Sequence, residues 1–252
     1  MPGGARANPS HAQGGNLKRT VIVTGGTKGL GREIALAFGR AGYDVLALYA
    51  ADENAARELV ELMASEKISG HALRHDVCSA DPALWQRPEI QTADSLTLVN
   101  NACAAFSPMP LHQLGWADFE KNFLVAVKGA WSCSQPLIRL MLKKGYGTIV
   151  NVLTSAIEGA PPKGFAAYLT AKYALQGFTL ALAAEYAARG VRVFSVSPGY
   201  METPLTQQWD ARLSEAIRAN AGRITLPTEA AARILQLVED SAVLGQGENH
   251  PV

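Results

Sequence analysis

The sequence predicts an α/β fold, a single doubly wound parallel sheet with helices on both faces. Three observations predict it. Short apolar, β-rich runs alternate with helical patterns along the whole chain. No internal repeat or second-domain linker interrupts that alternation. The segments that carry glycine, asparagine and proline motifs fall directly after the apolar runs. Alternating strands and helices are the pattern of a parallel sheet buried on both sides, and right-handed crossovers wind it outward in two directions. In such sheets a ligand sits at the carboxyl ends of the strands, near the point where strand order switches.

The elements follow in order. Thr20-Val-Ile-Val-Thr24 reads as the first strand, and a helical pattern from Arg32 to Arg40 is stopped by Gly42. Asp44 to Tyr49 is the second strand, and Asp52 caps a helix that runs to about Lys67. Ala72 to His75 is the third strand, followed by Asp76-Val77. A short helix follows Ala80 and is limited by Pro88. Leu96 to Val99 is the fourth strand and ends at Asn100-Asn101. A long helical stretch from Trp116 to Lys144 contains Pro136, where a kink is expected. Gly147 to Leu153, Ala166 to Arg189 and Val191 to Val196 read as strand, helix and strand, ended by Pro198-Gly199. Two more helices are expected over 204–220 and 228–240.

Composition bounds the function. The 252 residues are enough for one large domain with its own core, and a hydrophobic share of 48% fits a globular chain. A net charge of +1 gives no field to draw nucleic acid or an anionic membrane surface. No apolar run is long enough to span a bilayer. The three cysteines, Cys78, Cys103 and Cys133, form no paired motif, and the five histidines show no metal-ligand spacing. These features point to a cytoplasmic protein without a structural metal. Residues 1–16 lack an apolar signal segment and read as a flexible tail; residues 17–252 make up the domain.

Gly25-x-x-x-Gly29-x-Gly31 follows a strand and opens a helix. Glycines let the backbone turn tightly and approach a pyrophosphate, and the helix start supplies free N–H groups. A site for NAD places an acidic residue at the end of the second strand. Tyr49 stands there instead, followed by two alanines, and Lys28 in the loop is placed to pair with a 2′-phosphate. NADP(H) is therefore expected ahead of NAD(H). The second chemical motif is Tyr168 with Lys172, four apart and so on one helix face, with Ser155 thirteen residues upstream of the tyrosine. A cation beside a phenol favours phenolate, so this spacing predicts a Tyr168 pKa drawn down toward neutral pH. A tyrosine so tuned passes protons to and from a substrate oxygen.

Together these segments resemble the short-chain dehydrogenase/reductase family over about residues 18–245. The resemblance rests on Thr24-Gly-Gly-Thr-Lys-Gly-Leu-Gly31, Asp76-Val77, Asn100-Asn101-Ala102, Ser155, Tyr168-Leu-Thr-Ala-Lys172 and Ser197-Pro-Gly-Tyr-Met-Glu-Thr203. It implies a Rossmann fold and, residue by residue, a site. Gly25, Thr27, Lys28, Leu30 and Gly31 would line the cofactor phosphates and adenosine ribose. Asp76 and Val77 would meet adenine, and Asn100 and Ala102 would flank the riboses. Pro198, Gly199 and Thr203 would orient the nicotinamide. Lys172 would bind its ribose and lower the Tyr168 pKa. Tyr168 would be the general acid in reduction and the general base in oxidation, while Ser155 holds the carbonyl oxygen.

Two motifs depart from the family pattern. Cys103 replaces the glycine after Asn100-Asn101-Ala102, and Ala126 stands where the family carries an asparagine that supports the lysine. Asn122, one turn earlier, is the alternative side chain for that support. Near the end, Leu244-Gly245-Gln246 leads into a closing strand that reads as shortened or altered. The substrate loops are 106–114, 157–165 and 201–224. Their Phe106, Met109, Ile157, Phe165, Met201 and Trp209 suggest an apolar small-molecule carbonyl substrate or a carrier-bound 3-oxoacyl or polyketide-like one. The leading expectation is an NADPH-dependent ketone reductase, or alcohol dehydrogenase, working as a homodimer or homotetramer. A dehydratase or isomerase on the same scaffold and a non-catalytic NADP-binding regulator are the competing readings.

Overall fold

A computed structural model describes residues 17–79, 81–220, 223–240, 242–243 and 245–252. The expected tail, Ala80 and Leu244 lie outside the described residues. The core is one seven-stranded sheet with the strand order β3-β2-β1-β4-β5-β6-β7. The strands are β1 (Arg19–Thr24), β2 (Asp44–Tyr49), β3 (Gly70–Arg74), β4 (Ser95–Asn100), β5 (Gly147–Val152), β6 (Val191–Ser197) and β7 (Gln246–Pro251). Every neighbouring pair is parallel. The chain winds outward from β1 to β3, then crosses back to β4 on the other side of β1. The strand order therefore switches between β1 and β4, and the glycine loop and the Asn101-Ala102-Cys103 segment emerge side by side there.

The strands read as apolar runs because both faces are covered. Successive side chains point to opposite faces: Val21 and Val23 join one buried layer, and Ile22 joins the other. The first layer packs α1 (Gly29–Arg40), α2 (Glu53–Ser65) and α8 (Pro227–Glu239) against the sheet. On α1 the buried Leu30, Ile34 and Phe38 recur every fourth residue, which makes one apolar stripe. The second layer receives α3 (Pro88–Gln91), α5 (Gly129–Lys144) and α6 (Ala166–Tyr186).

Several boundaries differ from the sequence expectation. The short helix expected after Ala80 is a 3₁₀ turn over Leu84–Gln86 that ends at the extended Arg87 before Pro88, and Pro88 also begins α3, where a missing N–H costs nothing. The long stretch from Trp116 is α4 (Trp116–Phe123), a π-helical turn over Leu124–Lys128, and α5, which has Pro136 inside it. The irregularity thus falls at 124–128, where Ala126 lies, upstream of the proline. The helix expected from 204 starts at α7 (Ala211–Asn220), after a run of turns. The closing strand is present and six residues long, but polar, with an irregular register opposite Val193 and Ser195.

Candidate active site

Thr24 ends β1 and ties the two loops of the switch point together. Its Oγ1 accepts from the backbone N–H groups of Asn101 at 3.0 Å and Ala102 at 2.9 Å. Asn101 answers through its Nδ2, which donates to the Thr24 and Gly25 carbonyl oxygens at 3.0 and 3.2 Å. Two glycines are required by space. Gly25 has φ +61°, and a Cβ there would lie 3.1 Å from Ala102 Cα. A Cβ on Gly31 would land on the Gly25 carbonyl oxygen. The loop is therefore folded tightly onto the start of α1, and no side chain caps that helix. Its free N–H groups and positive dipole end line a cleft of about 290 Å³.

The cleft gathers most of the residues the sequence singled out. Gly25, Lys28, Leu30 and Gly31 form one wall with Ala102. Pro198, Gly199 and Thr203 line the cleft too, Thr203 beside Gly29 of the glycine loop, and so do Tyr168 and Lys172. Ser155 opens onto an adjoining cavity of about 750 Å³, whose wall Tyr168, Gly199 and Thr203 share with the cleft. Lys28 Nζ is 2.9 Å from Asp52 Oδ2.

Five expected cofactor residues are not on the cleft wall. Thr27 is buried beneath the loop. Asn100 points into the sheet, where its Nδ2 donates to Asn151 Oδ1 at 2.8 Å; Asn101 takes its place at the cleft. Tyr49 donates from its hydroxyl to Glu53 Oε2 at 2.8 Å, and neither residue lines the cleft. Asp76 accepts from the Cys78 N–H at 2.9 Å, and Val77 is buried in the layer that receives α3, α5 and α6.

Lys172 is 3% exposed, and its Nζ donates to the Val152 carbonyl oxygen at 2.6 Å. The amine lies 5.6 Å from the centre of the Tyr168 ring. Burial lowers the Lys172 pKa, because a charged amine loses its water. Tyr168 moves the opposite way from the sequence expectation. Burial of the phenol raises its pKa well above 10.0, Cys103 adds to the rise, and a hydrogen bond with the Thr154 side chain opposes it. The cation does not offset this, because Lys172 is tied to the Val152 carbonyl while the half-buried Tyr168 is packed against Phe106 and Phe165. Cys103 lines the cleft beside both groups, and its own thiol pKa is pushed up by burial. Ala126 is buried, and Asn122 donates from Nδ2 to the Asp118 carbonyl oxygen at 3.0 Å.

Thr24, Asn101, Thr154 and the Val152 carbonyl were not assigned roles from sequence. The first two sit inside recognisable motifs; the last is a backbone atom with no residue signature. A nicotinamide dinucleotide fits this cleft. Uncapped helix N–H groups and glycines suit a diphosphate, and the buried Lys172 amine keeps donors to spare for a ribose. Among the described residues no helix is long and apolar enough to cross a membrane, and no cluster of His, Cys, Asp or Glu could hold a metal ion.

Comparison with known proteins agrees with this geometry. The family model for short chain dehydrogenase matches residues 19–214. A cis-4-hydroxycyclohexanecarboxylate dehydrogenase of Sinomonas cyclohexanicum is 33% identical over 235 residues, 89% of this chain and 91% of the relative. A 3-oxoacyl-[acyl-carrier-protein] reductase of Staphylococcus aureus is 29% identical over 232 residues, 90% of this chain and 93% of the relative. A crystal structure from Beutenbergia cavernae, described as a candidate NAD(P)-dependent gluconate 5-dehydrogenase with bound NADP at low occupancy, superposes with a TM-score of 0.82 at 30% identity, covering 94% of this chain and 95% of the other.

Proposed function

The chain belongs to the short-chain dehydrogenase/reductase family of oxidoreductases, and from that premise we propose that it interconverts a ketone and a secondary alcohol, with NADP(H) used ahead of NAD(H). One observation carries the reading: Tyr168 stands on the wall shared by a glycine-lined cleft and an apolar cavity, with Lys172 of the same helix on the cleft side and Ser155, from a separate stretch of chain, on the cavity side. A nicotinamide bound in the cleft supplies the hydride to the carbonyl carbon, or takes it from the alcohol.

The remaining work falls to the chain. Gly25, Gly31 and the start of α1 hold the diphosphate through backbone N–H groups. Pro198, Gly199 and Thr203 form the wall that orients the reactive ring. Ser155 donates to the substrate oxygen from the cavity side. Tyr168 gives its proton to that oxygen in reduction and takes it back in oxidation. Its raised pKa keeps the phenol protonated at neutral pH, which suits the reducing direction. Lys172 spends one donor on Val152 and keeps the others for the ribose hydroxyls.

The cavity beside Ser155 falls within the roughly 300–1,000 Å³ of small-molecule sites. Phe106, Phe165, Met201 and Trp209 give it an apolar wall, which supports an apolar or carrier-bound carbonyl substrate. The names of the acyl-carrier reductase and the cyclohexane alcohol dehydrogenase above fit that class. We also propose a homodimer through the helices at 116–144 and 166–189, where Trp131, Tyr173 and Leu180 are exposed, or a homotetramer that contains it; sedimentation as a monomer at micromolar concentration would rule both out. The function is tested by a carbonyl panel assayed with NADPH and NADH side by side. NADPH consumption that disappears in Tyr168→Phe, with cofactor binding kept, is the expected result. No turnover with any carbonyl would refute the reading.

A further inference from the structure

We propose that Phe106 sets the size of substrate accepted, as a fixed partition between the substrate cavity and a second cavity behind Tyr168; the proposal rests on the ketone and alcohol reading above. The second cavity holds about 290 Å³. Its wall is mixed, with Met109 and Leu114 beside Ser107, Asp118 and Asn122. Phe106 and Tyr168 are the two residues common to its lining and that of the 750 Å³ substrate cavity. Their rings stack at 4.6 Å between centroids and 12° between planes. The stacked pair is therefore the shared wall. Tyr168 is fixed by its chemistry, which leaves Phe106 as the half of the wall that can vary.

Phe106 is held in place from each substrate loop. Its ring meets Phe165 edge-on at 5.3 Å and Trp209 at 5.4 Å. Its carbonyl oxygen accepts from Trp209 Nε1 at 2.8 Å. Three residues on, the Met109 N–H donates to the Gly164 carbonyl oxygen at 3.0 Å. Packed aromatic rings with a hydrogen-bonded backbone make a rigid wall rather than a swinging door. The wild-type protein then favours ketones that fit the front cavity alone. Without the ring the two spaces join, and the polar end of the second one faces whatever enters. The substrate class gained is a longer ketone with a terminal hydroxyl or similar group, within reach of Asp118 and Asn122.

The test compares cyclohexanone with 4-(4-hydroxyphenyl)cyclohexanone, each with NADPH, in the wild type, Phe106→Ala and Phe106→Leu. The ratio of kcat/KM for the long ketone over the short one should rise roughly tenfold in Phe106→Ala, the scale on which pockets discriminate by size, and less in Phe106→Leu. Adding Leu114→Trp to Phe106→Ala refills the second cavity and should return the ratio to the wild-type value. NADPH affinity, read by fluorescence titration, should be unchanged, because Phe106 is absent from the cleft wall. Phe106→Leu keeps most of the apolar bulk and carries the test if the alanine variant does not fold. An unchanged ratio in a variant that still binds NADPH overturns the proposal. A wild type that consumes NADPH with neither these ketones nor the wider panel overturns the oxidoreductase reading itself.

Discussion

Lys172 on α6 donates from Nζ to the carbonyl oxygen of Val152, the last residue of β5, at 2.6 Å. One neutral carbonyl is poor compensation for a buried ammonium, and burial lowers the Lys172 pKa accordingly. The group is retained at a cost in stability. Lys172→Met should therefore raise stability while removing activity, the usual trade at a strained site. The expected shift is a few degrees in Tm, the response of a protein this size to about 1 kcal/mol. Calorimetry of the cofactor-free protein at neutral pH checks it. The sign also sets a pH trend. The unfolded chain holds its lysine proton up to a pKa near 10.5, and the folded chain releases it earlier, so the penalty is full below the folded pKa and fades as pH rises toward 10.5. A Lys172→Met protein with a lower Tm at pH 7 would contradict the argument.

Tyr168 gives the second pH dependence. Its phenol pKa is raised above 10.0, chiefly by burial. The acid form needed for reduction is then present across the neutral range, while the base form needed for oxidation appears only in alkali. In the cofactor-free protein, phenolate absorbance of the wild type minus that of Tyr168→Phe should stay flat up to about pH 10, the ordinary phenol value. Alcohol oxidation should climb through the alkaline range, and ketone reduction should hold from neutral pH upward until the phenol ionises. A Tyr168 phenolate signal at pH 7 in the free protein would show that the lysine dominates after all.

The contrast between these two residues marks how far sequence reaches. The strand–helix alternation was legible because periodicity and apolar runs are written in residue type, and β2 begins and ends where the pattern placed it. The glycine loop and the Tyr168, Lys172 and Ser155 constellation were legible because each needs particular side chains at fixed spacing. The Val152 carbonyl was not, since any residue there would offer it. Asn100 is the residue the motif places at a ribose, yet its amide turns to Asn151 and Asn101 lines the cleft, because neighbours at a strand end face opposite sides. Which of them reaches the cleft depends on where β4 stops, and that is set by pairing with β5 at Asn100 and Asn151. Pro88 was legible in half of its role: it limits the turn at Leu84–Gln86, but that it also opens α3 is set by the tertiary course of the chain.

Thr24 should matter to the cofactor without touching its chemistry. Its hydroxyl oxygen accepts from the Asn101 and Ala102 N–H groups, which join the glycine loop to the end of β4. Thr24→Val keeps the branched shape and leaves both part-buried donors without their partner. A cost of about 1–3 kcal/mol in unfolding free energy is expected, together with a weaker NADPH Kd. Gly31→Ala should act more sharply, because its Cβ would occupy the position of the Gly25 carbonyl oxygen. Gly177→Ala on α6 is the matching control, with open space around the added carbon. Urea unfolding and NADPH titration of the three variants check the order. Equal binding by Gly31→Ala and the wild type would remove the loop from the cofactor site.

Lys28 carries the expected preference for NADP(H), and it is paired with Asp52 at 2.9 Å. Asp52 also caps α2 by accepting from the Ala55 N–H at 3.0 Å, and that bond, with Lys28 second, holds its carboxyl pKa down. A 2′-phosphate must therefore compete with a fully charged carboxylate for the same amine. Two substitutions separate attraction from competition. Lys28→Ala should cut the ratio of kcat/KM with NADPH over NADH by roughly fivefold to tenfold, the modest scale of a charge contact at an exposed site. Asp52→Asn keeps a side-chain oxygen for the cap but removes the competing charge, so it should lower the KM for NADPH and leave NADH nearly unaffected. The Asp52→Asn effect should shrink as salt is added, since both charges are exposed to solvent. If Lys28→Ala leaves the ratio unchanged, the loop lysine is not what selects the cofactor, and Arg74 beside Glu53 at 3.7 Å becomes the cation to remove next.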